Sequence, residues 1–210
     1  MKIDLHTHST TGSGCSRQSI EQIVADAKAN GMDAVCLTDH NNMLGTEEAL
    51  RVGARSGFLI FVGMELTCNE GDILIFGCER PEGFPLLAYE ELREMIDFDR
   101  CALIPAHAYR GGGPHGRMPE IVRAHTSDFA ALEVYSCNVG DDDTEQLIRL
   151  AREVALPPVG CGDSHVPGTA GLNYTDFEER ITSLDELIAA IKGGRFTAVR
   201  GDYVWKARRY

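Results

Sequence analysis

The chain has 210 residues, 43% apolar and 25% charged, which is ordinary for a globular domain and enough to enclose a core without staples. Its formal charge of -12 argues against a broad nucleic-acid or anionic-membrane surface, because such surfaces neutralise phosphates with Lys and Arg. Seven cysteines stand singly at 15, 36, 68, 78, 101, 137 and 161, the usage of reduced thiols. With no signal-peptide core and no apolar run near the ~20 residues of a membrane span, the expected location is the cytoplasm.

Residues 1–5 read as a strand. In SIEQIVADAKANG, Ile20, Ile23, Val24 and Ala27 recur at helical spacing, with Ser19 and Gln22 as a capping box and Gly31 as the stop. Residues 33–38 form a buried strand, TEEALRVGARSG a helix capped by Thr46, FLIFVGMELTC one apolar run and DILIFGC a further strand. The second half repeats the rhythm: a helix near 86–97, strand CALIPAH, a glycine-rich loop, a short helix near 119–125, strand ALEVYS, helix TEQLIRLAREVA and strand PVGCGD. The last helix, in SLDELIAAIKGG, carries Ser183 and Glu186 as a second capping box, and RFTAVRG closes the fold. Strands alternating with helices imply parallel βαβ units, here one α/β domain over residues 1–210, a barrel or barrel-like. Residues 109–118 and 166–176 read as loops that set specificity.

The stretch IDLHTHS places two histidines one residue apart. Period-two alternation puts His6 and His8 on one side of a strand, about 6–7 Å apart, where two imidazoles can share a metal. A surface strand with incidental histidines is the competing reading. The rest of the chain weighs against it, because Asp39, His40, Glu65, His107, Asp163 and His165 also fall at strand ends. In parallel α/β barrels those ends converge on one face. Mixed imidazole and carboxylate donors suit Zn, Mn or Fe, and the set exceeds what one tetrahedral ion needs. Two or more ions are expected.

The motifs DLHTHS, LTDHN, GMEL, PAHAYR, LEVYSCN and GCGDSH, followed by SLDELIAAIKGGR, resemble the polymerase and histidinol phosphatase (PHP) family of metal-dependent phosphoesterases over nearly the whole chain. The resemblance implies a distorted (β/α)7 barrel. It also implies His6, His8, Glu65 and Asp163 around one metal, Glu65 bridging to a second bound by His107, and His40 and His165 at a third. Two departures stand out. Gly12, Ser13 and Gly14 occupy the place where many relatives carry Asp or His, which removes the usual ligand of the third ion. The second metal's usual extra histidine, near the end of DILIFGC, is missing, and Cys78 lies close by as either a thiolate ligand or a buried cysteine.

The resemblance implies hydrolysis of a small phosphate monoester, nucleotide or short oligonucleotide, with two or three Mn, Fe or Zn ions generating hydroxide from water. Arg110 is expected to grip the substrate phosphate, because a guanidinium binds two phosphate oxygens at once. His115 and Arg117 share its loop, where a solvated role is the alternative. Asp39 orients a histidine, transfers a proton or caps its strand-to-helix turn. Asn138 lines the pocket or makes a turn, and Cys137 is an outside candidate ligand. His125 is expected at the surface, and the KARRY end reads as solvated or partner-facing. Two other classes remain open. An amidohydrolase-like C–N hydrolase usually adds a carboxylated lysine, for which Lys2, Lys28, Lys192 and Lys206 are poorly placed. A non-catalytic metal-binding module is favoured by the two missing ligands.

Overall fold

A computed structural model describes residues 1–78, 86–110 and 114–201. The glycine stretch 111–113, the His115 side chain and the KARRY end lie outside the described residues. In chain order the elements are β1 (Lys2–Thr7), α1 (Ile20–Ala29), β2 (Ala34–Leu37), α2 (Thr46–Ser56), β3 (Leu59–Val62), β4 (Met64–Cys68), β5 (Gly71–Phe76) and α3 (Tyr89–Arg93). They continue with β6 (Ala102–Ala106), α4 (Met118–Ala124), β7 (Leu132–Tyr135), α5 (Asp141–Glu153), β8 (Pro158–Gly160), β9 (Tyr174–Phe177), α6 (Leu184–Gly193) and β10 (Phe196–Val199).

Local chemistry sets the helix ends. Ser19 Oγ accepts from the Gln22 backbone N–H at 3.3 Å, and Gln22 Oε1 accepts from the Ser19 N–H at 2.8 Å, so α1 starts in the expected box. The box at α6 is half formed: Ser183 accepts from the Glu186 N–H, but the Glu186 carboxylate turns to the Thr182 N–H and hydroxyl. Thr46 is the first residue of α2 and not its cap; its hydroxyl donates back to the Met43 carbonyl. Helix α5 begins at Asp141, ahead of its expected start, because three aspartates in its first turn meet the positive end of the helix. His125, at the end of α4, is half-buried: it packs on the Tyr89 ring, with Nε2 2.7 Å from Glu90.

The strands form three sheets, ordered β10-β9-β1-β2-β3, β4-β5-β6 and β7-β8. Parallel pairing, expected throughout, holds within β1-β2-β3 and β7-β8. Sheet β4-β5-β6 is antiparallel, as are the pairings of β9 with β1 and β10. For β4 and β5 connection length is the cause, since a parallel pair needs a crossover of about a dozen residues and only Asn69 and Glu70 separate them. The single apolar run 58–68 is two strands because the chain breaks at Gly63, where a Cβ would overlap the Phe76 ring and the Ile75 carbonyl. Strand β9 begins inside the stretch 166–176 expected to be loop.

The sheets meet edge to edge. His40 bridges Glu65 just past β2, the Ala130 N–H donates to the Leu103 carbonyl ahead of β7, and Thr7 bridges Ser164 just past β8. The result is a mixed α/β fold. One buried cluster draws Leu5, Leu74, Ile104 and Val159 from all three sheets, each side chain contributing about 1.5–3 kcal/mol by leaving water. No helix among the described residues is long and apolar enough to cross a membrane.

Candidate metal centre

The three sheets bring the chemistry to one place. His6 lies in β1 and His8 just past it; Asp39 and His40 follow β2; Glu65 sits at the start of β4, past the break at Gly63; His107 follows β6, and Asp163 and His165 follow β8. Ligand-type atoms gather in three groups, within 4.8 Å of one another in each: His6, His8, Glu65 and Asp163; Glu65, Asp72 and His107; and His8, His40 and His165. The seven residues expected as ligands all fall in these groups, and Asp72 joins them.

The first group is buried on every side. His6 Nε2 lies 3.3 Å from Glu65 Oε2 and 3.5 Å from Asp163 Oδ1, and His8 Nε2 lies 3.3 Å from each of the same two oxygens. Among the described residues six buried side-chain atoms have no hydrogen-bond partner, and these are four of them. Burying a polar atom unpaired costs about 1–3 kcal/mol, so four facing one another need a common partner. A tetrahedral shell with bonds of about 2.0–2.2 Å has edges of about 3.3–3.6 Å, which matches the observed spacings. The residues present fit a transition-metal ion.

Electrostatics agree. Burial alone would raise the Glu65 and Asp163 carboxyls. His6, His107 and His40 around Glu65, and His6, His8 and Arg110 around Asp163, instead hold both well below the usual range. Burial pushes His8 down to about 3, leaving a neutral ring with a lone pair to offer. Burial acts on His6 in the same direction, but Glu65, Asp163 and Glu133 outweigh it and raise that ring. Glu133, inside β7, accepts from His6 Nδ1 at 2.8 Å, which keeps the proton there and turns Nε2 toward the group.

The second group uses Glu65 again. Its Oε1 is 2.9 Å from His107 Nε2 while its Oε2 faces His6 and His8, so one carboxylate serves two groups. The third donor is Asp72, and of the two readings of Cys78 the structure supports the packed cysteine over the thiolate ligand. Because β5 runs antiparallel to its neighbours, its beginning faces the site; Cys78 lies six residues further along, up to roughly 20 Å of backbone away, packed against an apolar cluster. Cys137 belongs to none of the three groups. It is buried, accepts from Asn173 Nδ2 at 3.3 Å, and has its thiol pushed up by burial.

The third group sits at the rim. His40 Nδ1 is 2.8 Å from Glu65 Oε2, and His165 Nε2 is 3.4 Å from His40 Nε2. Asp39 stands behind them. Its carboxylate accepts from the Ser9 N–H, the Ser9 hydroxyl and the Ser13 hydroxyl, each at 2.7 Å. Ser13 Oγ in turn accepts from the His40 N–H at 3.0 Å and lies 3.3 Å from His8 Nδ1, so Asp39 reaches the histidines through Ser13. Arg110 donates from Nη1 to Asp163 Oδ2 at 2.6 Å. Asn138 donates to the Asp163 carbonyl at 2.6 Å, and Arg117 is exposed beside Glu120. Backbone geometry is unusual here: His107 and Asp163 both have positive φ, +32° and +45°.

Asp72, Glu133, Ser13 and Asp4 had no place in the sequence-based site. A charged residue inside an otherwise apolar strand was the available signal for Glu133 and Asp4. Asp4 is fully buried and accepts from the N–H groups of His6, Gly162 and Gly171 at 3.1, 2.7 and 2.8 Å. It thereby ties the HxH strand to the segment carrying Asp163 and His165. A Cβ on Gly162 would overlap that carboxylate.

Comparison with known proteins agrees with this geometry. A family model described as PHP domain matches residues 4–196. An error-prone DNA polymerase of Pseudomonas fluorescens is 27% identical over 182 residues, covering 78% of this chain and 17% of the polymerase. A phosphoribosyl 1,2-cyclic phosphate 1,2-diphosphodiesterase of Eggerthella lenta is 30% identical over 89 residues, 40% of this chain and 33% of that protein. The chain therefore spans a minor part of both relatives. Among solved structures, a two-domain protein from Bacteroides vulgatus, described as containing a predicted PHP-like metal-dependent phosphoesterase, superposes with a TM-score of 0.71 at 16% identity. That match covers 96% of this chain and 65% of the other, and shows a shared fold.

Proposed function

The chain belongs to the PHP domain family, and on that premise we propose that it is a metal-dependent phosphoesterase acting on a small phosphate monoester, nucleotide or short oligonucleotide. The observation that carries the reading is the set of four buried donor atoms on His6, His8, Glu65 and Asp163 that face one another within 4.8 Å. We read the ring of three edge-joined sheets as a distorted (β/α)7 barrel, and residues 1–210 as one catalytic domain. His6, His8, Glu65 and Asp163 would hold one ion; Glu65, Asp72 and His107 a second; and His8, His40 and His165 offer nitrogen donors for a third. When bound, Mn, Fe or Zn ions supply Lewis acidity, acidifying water and neutralising phosphoryl oxygens.

The protein's own groups do the rest. Glu133 holds the proton on His6 Nδ1, and Asp39 acts through Ser13 as a positioning residue for His8 and His40. Asn138 fixes the Asp163 backbone, which lets the carboxylate keep its direction despite the left-handed backbone. Arg110, one-third exposed beside Asp163, is placed to bind phosphoryl oxygens bidentately. The name of the cyclic phosphate diphosphodiesterase relative and the acidic balance of this chain both favour a small phosphate ester over long nucleic acid. The single, unpaired spacing of the seven cysteines along the sequence favours the cytoplasm.

Protein purified without chelator and supplied with Mn, Fe or Zn is expected to release phosphate from some member of a broad phosphate-ester panel. The His8→Ala variant should lose both turnover and bound metal. A silent panel together with unchanged metal content in His8→Ala rejects the assignment.

A further inference from the structure

Arg110 is a candidate substrate-binding residue whose side chain leans on the carboxylates of the candidate ligands. Its Nη1 lies 2.6 Å from Asp163 Oδ2, and its Nη2 lies 4.0 Å from Asp72 Oδ2. The same Asp163 oxygen is 3.8 Å from His107 Nε2. The guanidinium thus stands between two donor groups, bonded to Asp163 of the first and 4.0 Å from Asp72 of the Glu65, Asp72 and His107 group. Burial works against its charge, but Asp163, Glu65 and Asp72 outweigh that and keep it protonated. With its side chain one-third exposed, the guanidinium has a route out to solvent.

We propose that Arg110 is a built-in competitor for the second cation: its guanidinium and an ion held by Glu65, Asp72 and His107 exclude one another, and an anion that draws Arg110 outward admits the ion. The inference rests on the reading of these residues as metal donors. Its physics is simple. Like charges crowded beside the same carboxylate, here Asp72, repel in a partly buried site. A phosphate dianion gives the guanidinium a better bidentate partner than one Asp163 oxygen. By linkage, phosphate and the second ion then promote each other's binding.

The test is a Mn²⁺ titration by calorimetry in phosphate-free buffer, which needs no turnover. Wild-type protein should bind a tighter and a weaker ion. Arg110→Met should tighten the weaker ion by about tenfold or more, and by more than the tighter one. Arg110→Lys, which keeps the charge without the planar fork, should fall between the two and replaces Arg110→Met if that variant does not fold. Inorganic phosphate should tighten the weaker ion more in wild type than in Arg110→Met. An unchanged or weakened second affinity in Arg110→Met, or an equal phosphate effect in both proteins, overturns the competition while leaving the metal sites standing. A wild-type chain that takes up no Mn²⁺ fails the reading of the site and this inference with it.

Discussion

The parallel strands feed the centre from their carboxyl ends, whereas the antiparallel ribbon feeds it from both: Glu65 and Asp72 lie near the starts of β4 and β5, and His107 lies past the end of β6. Parallel strands β1, β2 and β8 deliver His6 and His8, Asp39 and His40, and Asp163 and His165 at their carboxyl ends. Within β4-β5-β6, direction alternates, and β5 presents its first residues; Asp72 reaches the site while Cys78 is carried away from it. Strand polarity, more than proximity in sequence, decides which side chain becomes a donor.

The sharpest way to break this comparison is at the residue both regions share. Glu65→Gln removes the carboxylate common to two donor groups and should lower phosphate release by about a thousandfold, with metal analysis showing loss of more than one ion. Retention of full metal content in that variant would dissolve the picture of a shared ligand. Asp72→Ala tests the ribbon alone. It should cost about 10–100-fold in activity and reduce metal content, whereas Cys78→Ala should change neither by more than about twofold. The reverse ranking would restore the carboxyl-end rule for β5.

Asp4 sharpens the parallel side. Burial pushes its carboxyl up to about 6 from an ordinary 3.8, despite three backbone N–H donors. Between those values the folded chain holds a proton that the unfolded chain has lost, so this group makes stability fall as pH rises from about 4 to 6. The full contribution is about 3 kcal/mol. Urea unfolding of metal-free protein at pH 4, 5 and 6 should show that downward slope, and Asp4→Asn should lack its share of it. Equal slopes in the two proteins would mean that Asp4 is ionised throughout.

Much of this was legible from local patterns. The period-two spacing of His6 and His8 needs only a strand, and the Ser19/Gln22 box needs only four residues, so both are visible in short windows. Pairing direction is not local. Nothing within DILIFGC states that β5 turns back on β4 after two residues, so the run by itself does not show that its first residues, Asp72 among them, face the site. Thr46 failed as a cap for a related reason: its hydroxyl had a nearer acceptor in the Met43 carbonyl, set by the loop before it. Asp39 was visible as chemistry, but its dependence on Ser13 came only from folding residues 9–13 over it.

The left-handed backbone at His107 and Asp163 carries a consequence for anyone wishing to harden this scaffold. Such conformations cost side-chain-bearing residues roughly 1–3 kcal/mol each, and glycine would relieve the strain. Selection for thermal endurance alone would erase both positions, and only the chemistry of an imidazole and a carboxylate argues for keeping them. Fitness for folding and fitness for work pull in contrary directions at two points of one chain.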